Sequence, residues 1–114
     1  MMDALFHIVD VEVWAQAVAS GEYRAASVDV EGFMHCSFAA QVADTARRHY
    51  SGTTGLCVVE LDPALIDAPI RVEDSYGSGT AFPHVYGAIP VRAAIAVHDL
   101  SAFDRGSGAA SPDQ

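Results

Sequence analysis

Three histidines stand in short segments of apolar or turn-forming residues: Phe6-His7-Ile8, Gly32-Phe33-Met34-His35-Cys36-Ser37 and Phe82-Pro83-His84-Val85-Tyr86-Gly87. A buried imidazole must satisfy two ring nitrogens. Its ordinary pKa of about 6.5 makes it the side chain most often used for chemistry near neutrality. On a strand, His35 and Ser37 point the same way. They could present an imidazole and a hydroxyl to a ligand at the start of a helix, where backbone N–H groups point outward. Equally, Ser37 could cap that helix while His35 orders the turn. Pro83 fixes its own φ and Gly87 permits a close backbone approach, so His84 and Tyr86 lie in a stiffened segment, as a preorganised site requires. A structural turn holding a buried ring explains the same residues. Taken alone, His7 reads as a strand histidine at an edge or bonded to a backbone carbonyl. His49, near a helix end, and His98, before Asp99, are assigned no role.

Among the acids, Glu73 follows the apolar run Ile70-Arg71-Val72, and Asp74 opens a loop with glycines at 77 and 79. A carboxylate there could orient a ribose hydroxyl or stabilise a developing cation; an ion pair with Arg71 or Arg92 is the ordinary alternative. Glu60, inside an apolar run, is expected on an exposed face or paired. Cys36 and Cys57 have no Cys-x-x-Cys spacing and read as reduced core residues. The chain has no Gly-x-Gly-x-x-Gly, P-loop, nucleophile elbow or His-Glu-x-x-His.

The elements that must position these residues follow from pattern. Ala4–Val9 is a short β-rich run whose alternation separates Phe6 and Ile8 from Leu5, His7 and Val9. Asp10 can cap a helix over Val11–Ser20, with Val11, Trp14, Ala15 and Val18 at helical spacing and Gly21 as the stop. Residues 22–31 lack a strong period and read as a connection, with a short extended piece at 27–30. Gly32–Cys36 predicts a second strand. From Ser37, a helix to Tyr50 sets Phe38, Val42, Ala46 and Tyr50 on one face, with basic residues at its end. Leu56–Leu61 and Ile70–Glu73 predict strands, and Asp62-Pro63 opens a turn or one helical turn over 64–66. Ser75–Thr80 predicts a flexible loop. Val91–Val97 predicts a last, central strand. From Arg105 onward a flexible tail is expected. Several strands with two early helices argue for an α+β domain.

At 114 residues, 51% hydrophobic and 18% charged, the chain has the composition of one globular domain. It has neither a membrane span of about 20 apolar residues nor a basic-then-apolar leader, so a cytoplasmic location is expected. A net charge of −9 opposes polyanions and argues against bulk nucleic-acid binding. A local basic spot from Arg47, Arg48, Arg71 and Arg92 remains open.

Taken together, His7-Ile8, the Trp14 helix, Ser20-Gly21-Glu22-Tyr23, Gly32-Phe33-Met34-His35-Cys36-Ser37 with Gln41-Val42, and Phe82-Pro83-His84-Val85-Tyr86-Gly87 resemble the uncharacterised family called domain of unknown function 952. The matching pieces run from about residue 5 to 100. That family looks like a minimal ADP-ribosyltransferase-like fold, related to the RNA 2′-phosphotransferases. The resemblance implies a split β-structure of two small antiparallel sheets with flanking helices, a single domain over residues 1–103 and a tail over 104–114. It implies a cleft for NAD or an ADP-ribose-like nucleotide and, in an enzymatic version, ADP-ribosyl or phosphate transfer. His35, His84 and Glu73 would then be catalytic, with His7, Ser37 and Tyr86 contacting the cofactor. No metal is expected. Two alternatives stay open: a non-catalytic nucleotide-binding or regulatory module, and a hydrolase with zinc on His7, His35 and His84.

Overall fold

Two six-residue runs, both rich in branched apolar residues, organise the molecule. In the computed structural model, which describes residues 2–75 and 77–103, the elements in chain order are β1 (Leu5–Asp10), α1 (Val11–Ser20), β2 (Glu22–Tyr23), α2 (Ala26–Val30), β3 (Met34–His35), α3 (Val42–His49), β4 (Leu56–Leu61), β5 (Ile70–Glu73), β6 (Phe82–Val85), β7 (Ile89–Pro90) and β8 (Ala94–Asp99). The expected tail over 104–114 lies outside the described residues, as does Tyr76 in the expected loop. Among the described residues no helix is long and apolar enough to cross a membrane.

β1 pairs antiparallel with β4, Leu5 opposite Leu61 and Asp10 opposite Leu56. β4 is the centre of a β1-β4-β8 sheet. Side-chain alternation along β1 feeds two cores, as the pleat requires. Leu5 and Val9 join Trp14, Met34, Val59, Leu61 and Val85, while Phe6 and Ile8 join Val42, Ala46 and Val58 under α3. His7 shares the parity of Leu5 and Val9, so its imidazole enters the larger core.

A second sheet has the order β3-β6-β5. Phe6 and Ser37 exchange backbone hydrogen bonds of 2.8 Å in both directions, which ties this sheet to β1. A two-stranded ribbon, β2-β7, completes the β-structure. The expectation of two small antiparallel sheets is therefore corrected to three among the described residues, because the Glu22-Tyr23 stretch pairs with Ile89-Pro90.

Local chemistry sets the boundaries. The Asp10 carboxylate accepts from the N–H groups of Glu12 and Val13, and Gly21, at φ +93°, closes α1 through its N–H to Ala17 O. That left-handed conformation favours glycine. The buried face of α1 is Trp14 and Ala17; Val11 and Val18 are half exposed. The helix thus meets the sheet along a stripe three residues apart, narrower than the pattern of four predicts. Residues 27–30 are helical where an extended piece was expected. Ser27 Oγ donates to Phe33 O and the N–H groups of Glu31 and Gly32 return to Ser27 and Val28, so tertiary and capping bonds override the β-propensity of two valines.

Ser37 stays extended in its bridge to Phe6, so it does not cap the next helix. A 3-10 turn over Ala39–Gln41 intervenes, with the Phe38 N–H donating to Gln41 Oε1. α3 then buries Val42 and Ala46. The run predicted as a strand over 91–97 begins as a 3-10 turn, Val91–Ala93. β8 follows at the sheet edge, where Ile95 and Val97 are more than half exposed.

Candidate functional site

The β3-β6-β5 sheet explains the histidine pair. Met34 lies opposite Val85 and His35 opposite His84. Met34 and Val85 point into the core at 0% exposure, so the residues one step away point to the other face. That face collects Phe33 and His35 from the β3 segment, His84 and Tyr86 from the β6 segment, and Arg71 and Glu73 from β5. Gly87, at φ +154°, follows directly; a Cβ there would come within 3.1 Å of the Ala68 Cβ. The close approach lets the Tyr86 N–H reach Pro69 O at 2.8 Å and anchors the tyrosine.

His84 is 2% exposed. Its ring stacks on Phe33 at 4.0 Å between centroids and 17° between planes, and meets His35 edge-on at 5.4 Å. Its Nδ1 faces two oxygens, Ser75 Oγ at 3.5 Å and Glu73 Oε2 at 3.9 Å. The Glu73 carboxylate is itself held by the Tyr86 hydroxyl, which donates to both oxygens at 2.6 and 2.7 Å. The Arg71 guanidinium covers the Tyr86 ring at 5.3 Å. Burial lowers the His84 pKa and neighbouring His35 adds to that, while Glu73 and Glu31 pull the other way. The hydrogen bond to Glu73 raises the Tyr86 pKa. His35 is more open and pairs with Glu31 through Nε2 at 2.6 Å.

His7 is different. Its Nδ1–H donates to His35 O at 2.7 Å, and its Nε2 accepts from the Tyr23 hydroxyl at 2.8 Å. A carbonyl can only accept, so Nδ1 carries a proton, and the lowered pKa leaves the ring neutral with Nε2 as the acceptor. Burial pushes its pKa down to about 4 and that of Tyr23 up to about 12. Ser37 is buried, with its Oγ 3.1 Å from Thr45 Oγ1.

His7, His35, Ser37 and His84 all line one cleft of about 850 Å³, walled on the far side by α3 through Thr45 and Arg48. Glu73 and Tyr86 are not among its lining residues; they sit behind His84. The structure therefore splits the six residues singled out in the sequence into four at the cleft and two supporting one of them. The sequence reading missed Tyr23, which completes His7, and Phe33, which covers His84. It gave Arg48 only as part of an open basic spot and His49 no role, and both lie on the α3 wall. Both aromatic residues lie within the segments that carry the family resemblance, which was the available signal. The basic run Arg47-Arg48-His49 at a helix end was the signal for the wall. Arg47 and Arg48 pair with Asp44, while Arg71 lies on Tyr86; of the four arginines named from the sequence, Arg48 lines the cleft.

Cys36, beside His35, turns into the core, and burial raises its pKa; Cys57 is buried and shifted the same way. Neither is poised as a thiolate. Glu60 pairs with His98 at 2.8 Å across β4 and β8. Asp74 organises the loop after β5 by accepting from the N–H groups of Ser78 and Gly79. Among the described residues, no three His, Cys, Asp or Glu side chains converge as a metal-ligand set; both nitrogens of His7 are already engaged.

The family described as "Protein of unknown function (DUF952)" matches residues 8–97. The crystal structure of protein CC0527 from Caulobacter crescentus is similar, with 26% identity, 84% of each chain covered and a TM-score of 0.74. The solution structure of CC0527 gives 26% identity, 86% of this chain and 84% of that chain, and a TM-score of 0.69. No curated protein matches.

Proposed function

The chain belongs to the DUF952 family of proteins of unknown function, and from that premise we propose that its cleft binds a small nucleotide of the NAD or ADP-ribose class. The observation that carries the reading is the convergence of His7, His35, Ser37 and His84, from three separate segments, on one cleft of about 850 Å³. That volume suits a small organic ligand, for which about 300–1,000 Å³ is usual. The wall pairs hydrogen-bonding imidazoles and hydroxyls, suited to ribose, with the Arg48 guanidinium, suited to a phosphate. The net charge of −9 favours a small ligand over a polyanion.

In the ADP-ribosyltransferase-like reading of the split β-structure, His35 and His84 contact the reacting ribose. Glu73 and Tyr86 act through His84, and His7 with Ser37 shapes the cleft floor. Binding without transfer is the second reading. It is favoured by the only carboxylate among the described lining residues, Asp10, whose oxygen is committed to capping α1. Calorimetric titration with NAD and with ADP-ribose, followed by chromatography for released nicotinamide, tests both. Heat without nicotinamide supports the binding module, and heat with nicotinamide supports the enzyme. Absence of heat, together with an unchanged melting temperature, overturns the nucleotide reading.

A further inference from the structure

The two buried histidines of the cleft are not equivalent. His7 has a partner on each nitrogen. His84 is 2% exposed and has both neighbouring oxygens on its Nδ1 edge; among the described residues no hydrogen-bond partner meets its Nε2. A buried polar atom without a partner costs roughly 1–3 kcal/mol and asks for an explanation. His84 lines the cleft, so a ligand atom can supply that partner.

The protonation state follows from what surrounds the ring. Glu73, on β5, is a pure acceptor when ionised, and its position is set by the bifurcated hydrogen bond that the Tyr86 O–H donates to its two oxygens. Its oxygen at 3.9 Å and Ser75 Oγ at 3.5 Å are long for hydrogen bonds, but both oxygens lie at Nδ1 and favour a proton there. The other charged or titratable groups packed on this face are His35 on β3, Glu31 at the end of α2, and Arg71 on β5 against Tyr86. Phe33 covers one face of the ring and excludes water. A cationic His84 would be desolvated and would stand beside His35, so the neutral ring is favoured.

We propose that Tyr86 and Glu73 are positioning residues that hold His84 as the neutral Nδ1–H tautomer, so that its Nε2 accepts a hydrogen bond from a hydroxyl of a sugar-bearing ligand. This rests on the cleft being a ligand site and refines the nucleotide reading: the His84 end recognises a free sugar hydroxyl and not an anion. An anionic oxygen there would meet a lone pair, with the Glu73 carboxylate behind it. Phosphate recognition belongs to the Arg48 wall.

Nitrogen-15 NMR of the histidine rings in the ligand-free full chain is the first test, because it needs no ligand. Wild type is expected to show His84 protonated on Nδ1 and bare on Nε2. Glu73→Leu, and independently Tyr86→Phe should the first variant not fold, is expected to move His84 toward the Nε2–H tautomer while His7 stays unchanged. Nε2–H in wild type, or a tautomer unmoved in a folded variant, overturns the proposal. ADP-ribose is then added. A shift at the His84 Nε2, with affinity about tenfold weaker in the variant than in wild type, supports the hydroxyl contact. Binding that leaves the His84 Nε2 unmoved overturns it. If ADP-ribose does not bind wild type, the nucleotide reading fails, while the ring spectra still decide the tautomer.

Discussion

His7 makes stability depend on pH in a direction opposite to that of a salt-bridged histidine. Burial among core residues lowers its pKa from 6.5 to about 4, and the neutral ring is held between His35 O and the Tyr23 hydroxyl. Below about pH 6.5 the unfolded chain takes up a proton at this residue, whereas the folded chain refuses it until about pH 4. Stability is therefore fully present above the unfolded pKa and is lost progressively as pH falls toward the folded one. The full displacement corresponds to about 3 kcal/mol, of which about 2.5 kcal/mol is lost by about pH 4.5. Against a total of roughly 5–15 kcal/mol for a domain of ordinary stability, that is a large fraction. Urea unfolding of wild type and of His7→Gln, at about pH 7.5 and about pH 4.5, isolates the effect, because other titrating groups cancel in the difference. At the higher pH, His7→Gln should be less stable by about 2–4 kcal/mol, since glutamine cannot satisfy both partners with the same geometry. At the lower pH, the gap should shrink by about 2.5 kcal/mol. A gap constant within about 0.5 kcal/mol would refute the assignment of a buried neutral imidazole.

Gly21→Ala should cost about 1 kcal/mol in urea unfolding through backbone strain alone, because φ is +93° and nothing lies within 4 Å of the new methyl; an unchanged midpoint would contradict the left-handed cap. Leu61→Ala, at a position with 0% exposure, should destabilise by about 2–5 kcal/mol, and a loss under about 1 kcal/mol would remove Leu61 from the core. Cys36 and Cys57 should resist a thiol reagent at neutral pH until the protein is unfolded, since both are buried with raised pKa values; rapid labelling of native protein would show otherwise. Glu60→Gln should change stability by less than about 1 kcal/mol, because its bond to His98 lies on a partly exposed face between β4 and β8; a larger loss would mean that the pair is better shielded than its surroundings suggest.

The parts of the fold legible in the sequence are those where several local signals agree. α1 carries a capping aspartate, a helical run and a terminal glycine, and its bounds match the expectation residue for residue. Leu56–Leu61 and Ile70–Glu73 are β-rich between turn residues, and both are strands at those bounds. Illegible parts depend on partners far along the chain. β6 contains Pro83, which argues locally against a central strand. Yet the segment sits between β3 and β5, and the carbonyl of Pro83 still accepts from Cys36 at 3.1 Å. β8 is as apolar as a central strand, but among the described residues only β4 pairs with it. A short apolar run does not carry its own place in a sheet.

The same distinction applies to the site, where the histidines differ in how their ring nitrogens are satisfied. Segment composition draws attention to His7, His35 and His84 together, although His7 taken alone already reads as an edge or carbonyl-bonded strand histidine. Counting ring nitrogens after folding tells them apart. His7 depends on a hydroxyl 16 residues away and a carbonyl 28 residues away, neither of which its neighbours could reveal. Both of its ring nitrogens are used within the protein. His84 is as deeply buried, yet its two oxygens crowd one edge of the ring. Folding alone would favour filling that position with an apolar side chain, since a buried polar group that is only half satisfied lowers stability. Retaining imidazole there makes sense when a ligand completes it. On that reasoning, His84→Phe should raise the melting temperature, or leave it unchanged, while abolishing the His84-dependent part of ADP-ribose binding. His7→Phe should lower the melting temperature by orphaning Tyr23 and His35 O. If both variants lose stability equally, His84 is a structural residue like His7, and its place in the ligand site is withdrawn.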